Sequence, residues 1–337
     1  MARRRQGFRP ARVVTRHPGL VAASSAAAVA GLSVTQRLIR QGSSDRALKA
    51  RRRYRIAPKR GTGPELRRVA AGQLEIALEA LDGQPPTSEG IHEARKALKR
   101  GRALLRVSRH RLGGEVFRRN NDSLRDVGRA LSAARDAQVL GETVESLDAE
   151  ADGSLPAGAL NRLRDAVQPE TVPESAVDLP TARKAISNTR AGVAGWPLPE
   201  GGRPSALAPG MKRIYRQGRR ALRRIENDPG DEPWHELRKR SKDLWHGAQL
   251  LEEVHPKRMK KLAKRARRLS KLLGDDHDLA VLRQRIEGHP APLSPDELEL
   301  IDGLIDRRRG ELQGRARRLA VRLYRRKPAK AVRRLGL

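Results

Sequence analysis

The chain has 337 residues, 37% of them hydrophobic, which is enough for one large or two ordinary domains with a buried core and argues against disorder throughout. Its 72 Lys and Arg against 39 Asp and Glu give a formal charge of +33, and self-repulsion on that scale calls for a polyanionic partner: nucleic acid, an acidic membrane surface or polyphosphate. Aromatic residues make up only 2%, too few for the platforms that stack single-stranded nucleic acid, and the lack of cysteine removes disulfides, thiolate zinc sites, iron–sulfur clusters and cysteine nucleophiles together.

Residues 1–53 read as a basic interaction arm, and residues 1–60 carry 16 Lys and Arg against one acid, Asp45. Within the arm, Leu20–Val34 is uncharged and ends near Ala28-Val29-Ala30, which imitates a secretory signal. Ala and Ser make a poor hydrophobic segment, and the run is shorter than the roughly 20 residues of a membrane span. The expectation is a flexible tail on a cytoplasmic protein, with no stable membrane insertion.

From about Gly63 the apolar residues recur every three or four positions, as in Leu66, Val69, Ala70, Leu74, Ala77, Leu78 and Leu81, which is helical periodicity. No alternating strand pattern appears. Breaks at 82–86, 113–114, 152–180, 196–209, 228–233 and 289–295 predict eight to ten helices in an all-α domain over residues 54–327, followed by a tail at 328–337.

The domain contains an internal repeat. At an offset of 143, His92, Glu93, Arg95, Lys96 and Lys99 match His235, Glu236, Arg238, Lys239 and Lys242. At an offset of 142, Leu131, Asp136, Val139 and Leu140 match Leu273, Asp278, Val281 and Leu282. Two halves, at about 54–195 and 205–327, are expected to pack about a pseudo-twofold axis.

At 100° per residue, His92, Arg95, Lys96, Lys99, Arg102 and Arg106 share about 120° of helix surface, opposed by Ala94, Leu98, Gly101 and Leu105. His235, Arg238, Lys239, Lys242 and His246 form the same strip in the second half, opposed by Leu237, Leu244, Ala248 and Leu251. Glu93, Glu236 and Asp243 fall on its flank. A solvated helix face ordinarily mixes signs, so a duplicated strip of one sign implies an external anion. The next helices extend it with Arg118, Arg125 and Arg129 in the first half, and with Lys260 or Lys261, Lys264, Arg267 or Arg268, and Lys271 in the second. Arg grips phosphate oxygens in pairs while Lys acts as a mobile point charge, a mixture suited to a flexible phosphate chain.

His92 and His235 lack the second His four residues on that a helical zinc site needs, so they are read as phosphate or structural contacts, with metal binding and catalysis as the alternatives. Asp136 and Asp278 are read as cation anchors or helix caps. Trp234 and Trp245 read as core or rim packing.

These residues resemble the CHAD family, the conserved-histidine α-helical domain, whose halves each open with H-x-x-R-[KV]-x-x-[KR] and later carry L-(G)-x-x-[RHN]-D-x-x-V-L. Here the two copies are His92 to Lys99 with Leu131 to Leu140, and His235 to Lys242 with Leu273 to Leu282. The resemblance implies a helical bundle of two pseudo-symmetric halves around a basic central groove or pore that binds inorganic polyphosphate, with targeting to polyphosphate granules. Some members add a triphosphate-tunnel domain opened by a Glu-x-Glu-x-Lys strand. This chain has no such strand, because Glu297-Leu298-Glu299 continues into Leu300-Ile301. No catalytic residue, metal or cofactor is therefore expected, and nonspecific nucleic-acid binding is the competing reading.

Overall fold

The computed structural model describes residues 53–83, 86–151, 156, 158–167, 178–228, 230–288 and 292–337, with the side chains of 133–138, 148 and 150 outside that set. The expected tail up to Arg52 lies outside the described residues. Within them the chain is all-α, with eleven α-helices and no strand.

The first half supplies α1 (Thr62–Ala80), α2 (Ser88–Leu112), α3 (Gly114–Ala130), α4 (Ala133–Ala151), α5 (Ala159–Val167) and α6 (Leu179–Gly192). The second supplies α7 (Ala208–Asn227), α8 (Asp231–Leu250), α9 (Pro256–Gly288), α10 (Pro295–Tyr324) and α11 (Pro328–Arg334). Helix α2 starts where Thr87 Oγ1 accepts from Gly90 N, and its Ala94, Leu98, Gly101 and Leu105 are buried, as their spacing predicts. On α8 the matching apolar side, Leu237, Leu244 and Ala248, is buried with Leu251 just beyond the helix. Each such leucine taken out of water stabilises the fold by roughly 1.5–3 kcal/mol before entropy is charged against it, so packing of these stripes fixes where the opposite, cationic faces point.

Helix α2 packs on its chain neighbours α1 and α3 and also on α7 and α8, which follow much later in the chain. Small residues permit the crossing. A Cβ on Gly210 of α7 would lie 1.8 Å from the Val107 carbonyl oxygen of α2, and one on Gly247 of α8 would lie 2.9 Å from Met211 Sδ. A buried charge pair adds to the junction: Asp243 of α8 accepts from Arg106 of α2 at 2.9 Å and from Arg240 at 3.2 Å. Further out, α4 packs on α9 and α10.

The breaks depart from expectation in three places. Leu131-Ser132 separates α3 from α4, whereas the matching Leu273-Gly274 lies inside the continuous α9. A break at 251–255 precedes Pro256, whose fixed φ and missing N–H suit the first helical position of α9. The expected tail at 328–337 begins with α11, which packs on α7 and buries Ala331 and Val332.

Candidate functional site

A cavity of about 520 Å³ opens where α2 and α8 approach one another, with α4 and α9 completing its walls. Helix α2 contributes His92, Arg95, Lys96 and Lys99, while α8 contributes Arg238, Lys242, Trp245 and His246. Ser132, Val139 and Leu140 come from the α3–α4 segment, and His277, Asp278 and Val281 from α9. The two strips therefore meet in one cleft, and Lys99 and Lys242 act on each other's charge across it.

The electrostatics are those of a site with too much positive charge. Burial, then the Arg238 and Lys99 charges, push Lys242 down to about 7, and no ion pair with a described residue involves it. Arg238 is also pushed down by burial; its Nη2 lies 3.9 Å from Asp278, and its Nε is buried with no hydrogen-bond partner. Arg95 donates to the Leu131 carbonyl at 2.7 Å, a bond that ties α2 to the α3–α4 break.

His235, His246 and His277 are held neutral. His235 and His277 stand 3.2 Å apart through their Nδ1 atoms, one donating and the other accepting. Burial drives His277 down to about 3, with Arg238 and His235 adding to it, and lowers His235 as well. His246 falls to about 4 through burial and stacks on Trp245, with ring centroids 4.6 Å apart. A neutral imidazole can donate one hydrogen bond to a phosphate oxygen but does not deepen the positive field.

Of the expected site residues, His92, Arg95, Lys96, Lys99, Arg238, Lys242 and Asp278 line this cleft, and His235 supports it through His277. Others are turned elsewhere. Arg106 is committed to the buried Asp243, so this carboxylate, read as flanking, sits inside the α2–α8 junction and neutralises the end of the strip. Arg102 faces Asn121 at 3.4 Å and is lowered to about 10 by burial and by Arg106. Lys239 pairs with Glu232 and Glu236, Lys96 with Glu93, and Arg125 with Asp122 and Asp126, so the strips are less uniform in sign than their positions suggested. Arg129, Lys264 and Lys271 are exposed and outside the cleft lining. Arg268, expected to extend the cleft strip, lies outside the cleft lining: one helical step from Arg267, it faces α10 on the far side of α9.

The Asp136 side chain lies outside the described residues. Asp278 approaches Arg238, as a cation anchor would. Its neighbour Asp276 points away, accepting from Arg309 at 3.1 Å and from Gln313 at 2.9 Å on α10. Asp276, His277 and Asp278 thus diverge, and no cluster of three potential metal ligands forms among the described residues.

Trp245, His277 and the apolar Val139, Leu140 and Val281 also line the cleft, outside the two cationic strips. Trp245 sits three residues after Lys242, the helical spacing that places it on the same side, and Arg267 lies over its ring at 5.8 Å. Among the described residues no helix is long and apolar enough to cross a membrane.

The family model of the CHAD domain matches residues 68–287. That span includes every residue lining the cleft. No curated protein matches the chain.

Proposed function

This chain belongs to the CHAD family, and from that premise we propose that it binds inorganic polyphosphate in the cleft between α2 and α8 without turning it over. The observation that carries the reading is the meeting of Arg95 and Lys99 of α2 with Arg238 and Lys242 of α8 in one cleft, where burial and then the charges of Arg238 and Lys99 push Lys242 down to about 7. A cleft that gathers cations away from water is relieved by an anion of high charge density. Arg95, Lys99, Arg238 and Lys242 offer that anion several donors along the cleft. The reading also includes recruitment of the protein to polyphosphate granules.

Binding without catalysis is supported by where the carboxylates go. Phosphoryl transfer needs carboxylates grouped to hold Mg²⁺ beside the phosphates. Asp278 approaches Arg238 instead, and Asp276 is bonded to α10.

Charge reversal tests the proposal. Lys99→Glu with Lys242→Glu is expected to weaken long-chain polyphosphate binding at physiological salt by at least about tenfold while the helical circular dichroism stays unchanged. Wild-type affinity in the folded double variant would remove this cleft from consideration.

A further inference from the structure

Helix α9 has a second basic side, turned away from the cleft. Two adjoining cavities of about 630 and 270 Å³ share Arg322 and form one groove between α9 and α10, closed at one end by α11. Lys261, Arg265 and Arg268 line one wall, at i, i+4 and i+7 on α9. Arg315, Arg318 and Arg322 line the other, at i, i+3 and i+7 on α10. Each row runs about 10 Å along its helix. The floor is apolar, with Leu262, Leu272, Leu319 and Leu323.

The distribution of acids shows that the groove is not a generic solvated surface. No Asp or Glu occurs between Glu253 and Asp275, or after Glu311. None of the six wall cations forms an ion pair with a described residue, and all six are exposed. The earlier part of α10 behaves oppositely: Arg308 pairs with Glu311, and Arg309 with Asp231 and Asp276. The same helix thus neutralises its arginines on one stretch and leaves them open on the next. Like charges one turn apart oppose helix stability, so the open stretch is favoured by an anion laid along it.

We propose that the α9–α10 groove is a second, separate binding site for a linear chain of phosphates. Directly packed helices lie about 8–10 Å apart, which leaves a channel too narrow for a nucleic-acid duplex. Its one aromatic residue, Tyr215, is buried and donates its hydroxyl to the Leu323 carbonyl at 2.9 Å, so no platform is offered to unstacked bases. A thin chain that presents only phosphate oxygens meets both walls. The groove lies partly beyond the 68–287 family match, since α10 and α11 follow it. Naming its ligand as inorganic polyphosphate rests on the reading of the cleft, whereas the groove as an anion site rests on its own residues.

The test is binding stoichiometry in the full-length chain, with a polyphosphate too short to reach from cleft to groove, followed by affinity for a long one. Wild type is expected to bind two short chains. Arg318→Gln with Arg322→Gln should bind one and lose at least about tenfold in long-chain affinity, since two linked subsites reinforce each other. Arg318→Lys with Arg322→Lys, which keeps the charge, should retain the second short chain. Lys99→Glu with Lys242→Glu should also bind one short chain, the one in the groove. If the glutamine variant matches wild type in both readouts, the groove is not a site and the cleft reading stands. If the cleft variant still binds two chains, the cleft reading falls and the groove proposal stands. Displacement of the chain held by the cleft variant by single-stranded RNA of equal charge, as readily as by polyphosphate itself, would overturn the assignment of a phosphate-chain site.

Discussion

Replacing Lys242 with Met should stabilise the free protein while weakening its hold on polyphosphate. The ammonium group is partly buried between Arg238 and Lys99, and its fall from the ordinary lysine value of 10.5 to about 7 measures how much the folded state resists that charge. The ceiling on this penalty is roughly 5 kcal/mol. Water in an open cleft screens part of it, so a gain of about 1–2 kcal/mol is expected, or a Tm rise of about 2–8 °C. Methionine keeps the length of the stem and its contacts along the cleft wall. The sign follows from linkage. Below about 7 both folded and unfolded chains hold the proton and the penalty is complete; between about 7 and 10.5 the unfolded chain binds more protons, so native stability rises with pH. The advantage of Lys242→Met should therefore be full near pH 6 and smaller near pH 9.5. Thermal unfolding at both pH values reads this directly, and polyphosphate titration of the same samples reads the cost in binding. A variant less stable than wild type at pH 6, or equally advantaged at both, would refute the claim that burial and neighbouring cations penalise the Lys242 charge.

The same titration gives polyphosphate binding its own pH signature. A bound anion raises the Lys242 pKa, so above about 7 binding must take up a proton, and affinity should fall by up to tenfold per pH unit. Calorimetry in buffers of different ionisation enthalpy reads the uptake, and affinity independent of pH from about 7 to 9 contradicts it. Asp243→Ala should destabilise the fold by about 3–5 kcal/mol, because Arg106 and Arg240 would lose the carboxylate that both contact in the α2–α8 junction. Urea unfolding measures this, and a loss below about 1 kcal/mol would show that water replaces the pairing. Gly210→Ala should cost about 1–3 kcal/mol and lower polyphosphate affinity, since its Cβ would meet the Val107 carbonyl at 1.8 Å and push α7 off α2. Unchanged unfolding and binding would mean that the crossing relaxes without disturbing the cleft.

The helical class and the position of the cleft were legible because they depend on periodicity. Ala94, Leu98 and Leu105 on one side of α2 leave His92, Arg95 and Lys99 on the other, and the matching stripe of α8 does the same for Arg238 and Lys242. What a strip could not reveal was its tertiary partners. Arg106 looked like its continuation until Asp243, 137 residues away, closed on it. Position on a single helix also leaves open which neighbour a residue faces. Arg268 was expected beside the cleft, yet the apolar contacts of α9 with both α8 and α10 give that helix two working sides. The helix α11 was hidden by its composition: Arg and Lys dominate residues 325–334, and only Ala331 and Val332 mark the buried side. Asp276, His277 and Asp278 read as a cluster in sequence but diverge at 100° per residue, towards α10, α8 and the cleft respectively.

Competition distinguishes a protein that selects a phosphate chain, as proposed, from one that merely attracts polyanions. Long-chain polyphosphate should be titrated against duplex DNA and RNA of equal total charge, at physiological and at raised salt. Polyphosphate should stay bound in excess nucleic acid and lose less affinity with salt, since cations partly buried in a cleft are screened less than a surface field. Equal displacement by all three, with one common steep salt dependence, would contradict it and leave a nonspecific basic surface in its place.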